Sequence, residues 1–60
     1  MNGKEAIRKL QAGGWVVVRI RGSHYVVKKE GKSVPIPVHG NKDLGKGLIA
    51  EIERETGVKL

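Results

Sequence analysis

Two glycine-led breaks, Gly22-Ser23 and Gly31-Lys32, cut a tract of strand-forming residues into three short runs. No other feature constrains the fold as much. The runs are WVVVRIR (15 to 21), HYVVKKE (24 to 30) and SVPIPV (33 to 38), rich in β-branched side chains. A two-residue break leaves no room for a crossover, so neighbouring runs return antiparallel as hairpins. Glycine at the first turn position suits a type II′ turn, which needs positive φ there. The expectation is a three-stranded antiparallel meander.

A hairpin loop also fixes register. A loop at 22-23 pairs Arg21 with His24, Ile20 with Tyr25, Arg19 with Val26 and Val18 with Val27. A loop at 31-32 pairs Val27 with Ile36, Tyr25 with Val38 and His24 with His39. Strict alternation then places Val16, Val18, Ile20, Tyr25, Val27, Val34, Ile36 and Val38 on one apolar face. The opposite face collects Val17, Arg19, Arg21, His24, Val26, Lys28 and His39, with Trp15 on that side unless it tucks beneath a helix. Pro35 and Pro37 share a parity, which lets both direct their missing N–H groups outward on an edge strand.

Helical signals flank the strands. Asn2 can cap a first helix, with Glu5 three residues on to complete a capping box. Ala6, Ile7, Leu10 and Gln11 follow at helical spacing, and Gly13-Gly14 ends the run. Residues 39 to 46, HGNKDLGK, read as a polar loop. A second helix is expected from about Lys46 to Thr56, with Leu48, Ile49 and Ile52 on one face and Gly57 as its stop. The predicted class is α+β, in the order α-β-β-β-α, with both helices on one face of the sheet. Residues 1 to 60 form a single domain, since a chain of this length has only a thin core to share.

Charge narrows the function. Twelve Lys and Arg face six acidic residues, and the excess is uneven. Residues 1 to 50 hold ten basic and three acidic groups, whereas residues 51 to 60 hold two and three. Such an excess favours a polyanionic partner. There is no cysteine, hence no disulfide framework and no thiolate metal site. No apolar run approaches the length of a membrane span, and the first ten residues lack the apolar middle of a secretion signal. A soluble cytoplasmic protein is the expectation.

The predicted basic face carries chemistry suited to RNA. Cleavage of RNA needs a base for the 2′-OH, an acid for the leaving 5′-oxygen and cations for the charge that develops on phosphorus. Imidazoles serve either proton-transfer role, and Arg or Lys supplies the cations. His24 is the candidate catalytic residue and His39 a possible auxiliary. Arg19, Arg21, Ser23 and Lys28 are candidate RNA contacts, and Gly22 is required by the turn. None of this chemistry calls for a metal or another cofactor. His24, His39 and Asp43 match no zinc-binding spacing. The same face also suits a non-catalytic RNA-binding module or an adaptor that docks an acidic protein.

These residues carry a family resemblance. The first helix ending in GGW, the R-x-x-G-S-H element from Arg19 to His24, the VPIPVH segment and the G-x-x-x-E-I…TG second helix resemble the HicA family of toxin ribonucleases. The match runs in order over nearly the whole chain, with Gly-Ser-His its most specific part. The resemblance implies a double-stranded-RNA-binding-like fold and metal-independent cleavage of mRNA, with His24 as the catalytic residue. It also implies a partner antitoxin of the HicB type. Many members have a second histidine directly after the first, where this chain has Tyr25.

Overall fold

A computed structural model describes all of residues 1–60. Helix α1 (Gly3–Ala12) leads into strands β1 (Val16–Arg21), β2 (His24–Lys29) and β3 (Lys32–Pro37), followed by helix α2 (Lys46–Thr56). The sheet is antiparallel in the order β1-β2-β3. This is the expected α-β-β-β-α order, consistent with a double-stranded-RNA-binding-like fold.

The helix ends follow from their sequences. Asn2 Oδ1 accepts from the Glu5 amide at 2.9 Å, and Glu5 Oε1 accepts from the Asn2 amide at 3.1 Å. This reciprocal pair satisfies two amides that a helix start leaves without partners. At the far end of α2, Gly57 takes the left-handed conformation at φ 72° and donates to the Glu53 carbonyl at 2.8 Å.

The core is small and lies on one side of the sheet. Ala6, Ile7 and Leu10 from α1 and Ile52 from α2 meet Trp15, Val27, Val34, Ile36 and Val38. Leu10, Val27, Ile36 and Ile52 are fully enclosed. Helix α1 packs across β1 and β3, and α2 packs against β3. The first residue of α1 comes so close to the end of β3 that a Cβ on Gly3 would collide with the Pro37 carbonyl and sit 2.8 Å from Val38 Cγ2.

Two features of the sheet depart from the expected register. The β2–β3 turn is Glu30-Gly31, not Gly31-Lys32. Lys29 therefore pairs with Lys32, Val27 with Val34, Tyr25 with Ile36 and His24 with Pro37. Glu30 (φ 49°) and Gly31 (φ 83°) are both left-handed, the pattern of a type I′ turn. Glycine in the second turn position fits I′ as well as glycine in the first fits II′, so the dipeptide alone does not choose. The shift is two residues. Face assignments survive it, but the pairing of His24 with His39 does not.

The β1–β2 turn is at Gly22-Ser23 as expected, with positive φ at Gly22 and not at Ser23. Farther along, the ladder slips between Val17 and Arg19: Arg19 pairs with Val26, but Val27 is met by Val17. Val18 is the extra residue of a β-bulge. Every residue before it changes face relative to strict alternation. Trp15 and Val17 turn toward the core, whereas Val16 and Val18, expected inside, stand 59% and 51% exposed. Ile20 keeps its predicted parity but lies at the sheet edge, 56% exposed. The exchange encloses the indole of Trp15 against the core, with its N–H left without a partner.

Candidate functional site

The face opposite the helices is built from three cross-strand rows. Arg21, His24 and Pro37 form the row nearest the β1–β2 turn; Arg19, Val26 and Pro35 the middle one; Val16, Lys28 and Ser33 the third. Side chains directly opposed across strands lie about 5 Å apart at Cβ. Arg21 and Pro37 thus flank His24, and Arg19 and Lys28 lie one and two rows away. His24, Arg19, Arg21 and Lys28 are exposed. The register of the β1–β2 hairpin places these side chains together without any long-range contact.

The electrostatics are one-sided. No acidic residue lies in β1 or β2. The ion pairs of the molecule are Met1 to Asp43 at 3.1 Å and Lys32 to Glu55 at 3.8 Å, both away from this face. Arg19, Arg21 and Lys28 therefore have no internal carboxylate partner and are available to an external anion. An imidazole beside unpaired cations on an open sheet can exchange protons with a phosphate ester held by those cations.

Other candidates fall elsewhere. Ser23 is half-buried in the turn, where its carbonyl accepts from the Val38 amide at 2.6 Å and ties the β1–β2 turn to the exit of β3. His39 lies beyond the end of β3, in a turn closed by the Lys42 amide on the His39 carbonyl at 3.0 Å. Its side chain lines a cleft of about 210 Å³ with Pro37, Lys42, Asp43, Leu44 and Leu48. The histidines are not cross-strand neighbours, and no group of three His, Asp or Glu side chains converges to hold a metal. Sequence reasoning missed Pro37 as the neighbour of His24; only the position of the second turn reveals it. Lys29 is not part of the site, because its ammonium donates to the Gly13 carbonyl at 2.7 Å.

Comparison with known proteins bears on this arrangement. Residues 3–58 match the family model described as the HicA toxin of bacterial toxin-antitoxin systems. The chain belongs to the HicA toxin family. It is also similar to a protein of Pseudomonas fluorescens (strain Pf0-1) named probable mRNA interferase HicA, with 39% identity over 59 residues, covering 98% of each chain. No solved structure matches significantly. In this HicA chain, Gly22, Ser23 and His24 form the turn and first residue of β2. Tyr25, where many HicA proteins have a second histidine, pairs with Ile20 and Ile36 and packs against the core. A side chain at position 25 thus points to the opposite side of the sheet from His24. Exchanging histidine for tyrosine there leaves the basic face unchanged.

Proposed function

We propose that this HicA chain is the toxin of a toxin–antitoxin pair and an endoribonuclease that cleaves mRNA in the cytoplasm. In this reading His24 is the catalytic residue and no metal takes part. Arg19, Arg21 and Lys28 hold phosphates, and Ser23 contacts the RNA beside the turn. The 2′-hydroxyl loses its proton, O2′ attacks phosphorus and the P–O5′ bond breaks as O5′ gains a proton. A cyclic phosphate and a free 5′-hydroxyl remain. His24 carries one of the two proton transfers, and the cations stabilise the additional charge on the phosphoryl oxygens. His39 is an auxiliary only for an RNA that runs off the end of the sheet toward the cleft. A HicB-type antitoxin is the proposed protein partner.

One observation carries the reading. His24 stands exposed between Arg21 and Pro37 on a face whose three contributing strands contain no carboxylate. A carboxylate there would repel phosphate. The experiment is incubation of the purified protein with RNA in EDTA, alongside His24→Ala. Wild type is expected to cleave and the variant to bind without cleaving. Cleavage by His24→Ala at the wild-type rate removes His24 from the mechanism. Salt-sensitive binding without cleavage by either protein identifies an RNA-binding module instead.

A further inference from the structure

The two edges of the sheet differ. On β3 the N–H positions facing away from β2 fall at Ser33, Pro35 and Pro37, because Val38 donates inward to Ser23 and alternate residues follow. Two of the three donors a neighbouring strand would need are thus absent. Helix α2 also packs against β3. Strand β1 contains no proline to remove its outward donors. Arg21 and Arg19 hold its ladder to β2, so the N–H and C=O of Ile20 point outward. The Val18 bulge confines this open ladder to the half of β1 next to the turn.

The same strand holds the large apolar side chains left in water, namely Val16, Val18 and Ile20. An unpaired edge lined by such side chains is a template for strand addition. Its surroundings select the occupant. Residues 6 to 29 include six cationic residues and no acidic one. RNA offers neither a backbone ladder nor an apolar surface for three aliphatic side chains. A second copy would bring another net charge of +6 and another Arg19 and Arg21 against the first.

We propose that the outer edge of β1 docks an extended segment of an acidic partner protein. The segment adds a fourth strand through Ile20 and lays carboxylates against Arg19 and Arg21. If the chain is the ribonuclease proposed above, this strand enters the row of Arg21 and His24 and displaces phosphate, so docking also inhibits. That consequence rests on the catalytic reading; the docking itself does not.

Ile20→Pro tests it by giving β1 the device β3 already carries, removing the outward N–H while sparing the bonds to β2. Ile20→Glu, which keeps the backbone and opposes a carboxylate, is the second variant should the proline prevent folding. The probe is a short acetylated and amidated peptide alternating glutamate with valine, titrated into the full chain at low salt. Amide shifts and hydrogen exchange are followed by NMR. Shift changes confined to residues 16 to 22 and slowed exchange at the Ile20 amide are expected. Either variant, folded by circular dichroism, should bind about tenfold more weakly or worse, and a lysine-for-glutamate peptide should not bind.

Absence of peptide binding, or binding mapped elsewhere, overturns the proposal. So does unchanged affinity in a folded variant. Sedimentation showing the free chain to self-associate through β1 names a second copy as the occupant instead. Equal protection of the Ile20 amide by a short RNA assigns the edge to RNA. All these readouts are independent of cleavage, so failure of the catalytic reading and failure of this one are distinguishable.

Discussion

Lys28 and Lys29 are adjacent in sequence, yet the structure gives them opposite work. Lys29 lies on the helix side of the sheet. Its stem runs over Gly14, where a Cβ would stand 3.2 Å from its Cε, and its ammonium donates at 2.7 Å to the Gly13 carbonyl beyond the end of α1. A charged donor to that carbonyl also complements the negative end of the helix dipole. Because the site is only partly buried, the bond should contribute about 1.5 to 2 kcal/mol, the lower part of the range for charged hydrogen bonds. Lys29→Met keeps the apolar stem and removes the bond. For a domain of this size the expected fall in melting temperature is about 5 to 15 °C. Lys28 is exposed in the row of Val16 and Ser33, with no acidic partner. Lys28→Met should leave stability within about 0.5 kcal/mol of wild type. It should instead lower the slope of log affinity against log salt for RNA by about 0.7 to 0.9, the value for one lost phosphate contact. Thermal melts and salt-titrated RNA binding, both in a His24→Ala background where the proposed mechanism predicts no cleavage, give the two numbers. An unchanged melting temperature for Lys29→Met, or a loss of salt slope larger than that of Lys28→Met, refutes the division of roles.

Three further outcomes are expected. Glu30→Asn should stabilise the protein by about 0.5 to 1 kcal/mol, because Glu30 sits at φ 49° and asparagine tolerates that region better; a denaturant midpoint that falls would contradict the type I′ turn. Gly3→Ala should destabilise by about 1 to 3 kcal/mol through collision with the backbone at Pro37 and Val38, and a wild-type melt would show that α1 can shift freely. The cleavage rate should vary with pH, because an imidazole that transfers a proton acts in only one of its two charge states. A rise with pH marks His24 as base and a fall marks it as acid, whereas a flat profile is inconsistent with either.

Much of the fold was legible because several local signals agree. The Asn2 and Glu5 box, the Gly57 stop and the Gly22-Ser23 turn each specify their own geometry through a few neighbouring residues. Parity carried the basic face: a register error of two residues between β2 and β3 leaves Arg19, Arg21, His24 and Lys28 together. The same error misplaced His39, because pairing depends on the turn's position and a glutamate in left-handed conformation is an atypical choice for it. The bulge was not legible at all. Nothing local to Val16, Val17, Val18 and Arg19 marks one as supernumerary among three β-branched residues and an arginine. It follows from tertiary packing, which encloses Trp15, turns Val17 toward the core and leaves Val16 and Val18 in water.

That bulge turns β1 into a ruler. Trp15 and Arg19 are four residues apart, a spacing that would put them on the same side of an unbroken strand, yet one is enclosed and the other faces solvent. The phase between core and basic face is therefore set by a residue count and not by the identity of any single side chain. Deleting one valine leaves a run that is still β-branched and apolar. It nevertheless leaves a strand that can enclose the indole or present the arginines only by forming without the bulge. An insertion breaks the phase in the other direction. Among chains of this kind, the length between the tryptophan and the Gly-Ser-His turn should vary less than the side chains within it.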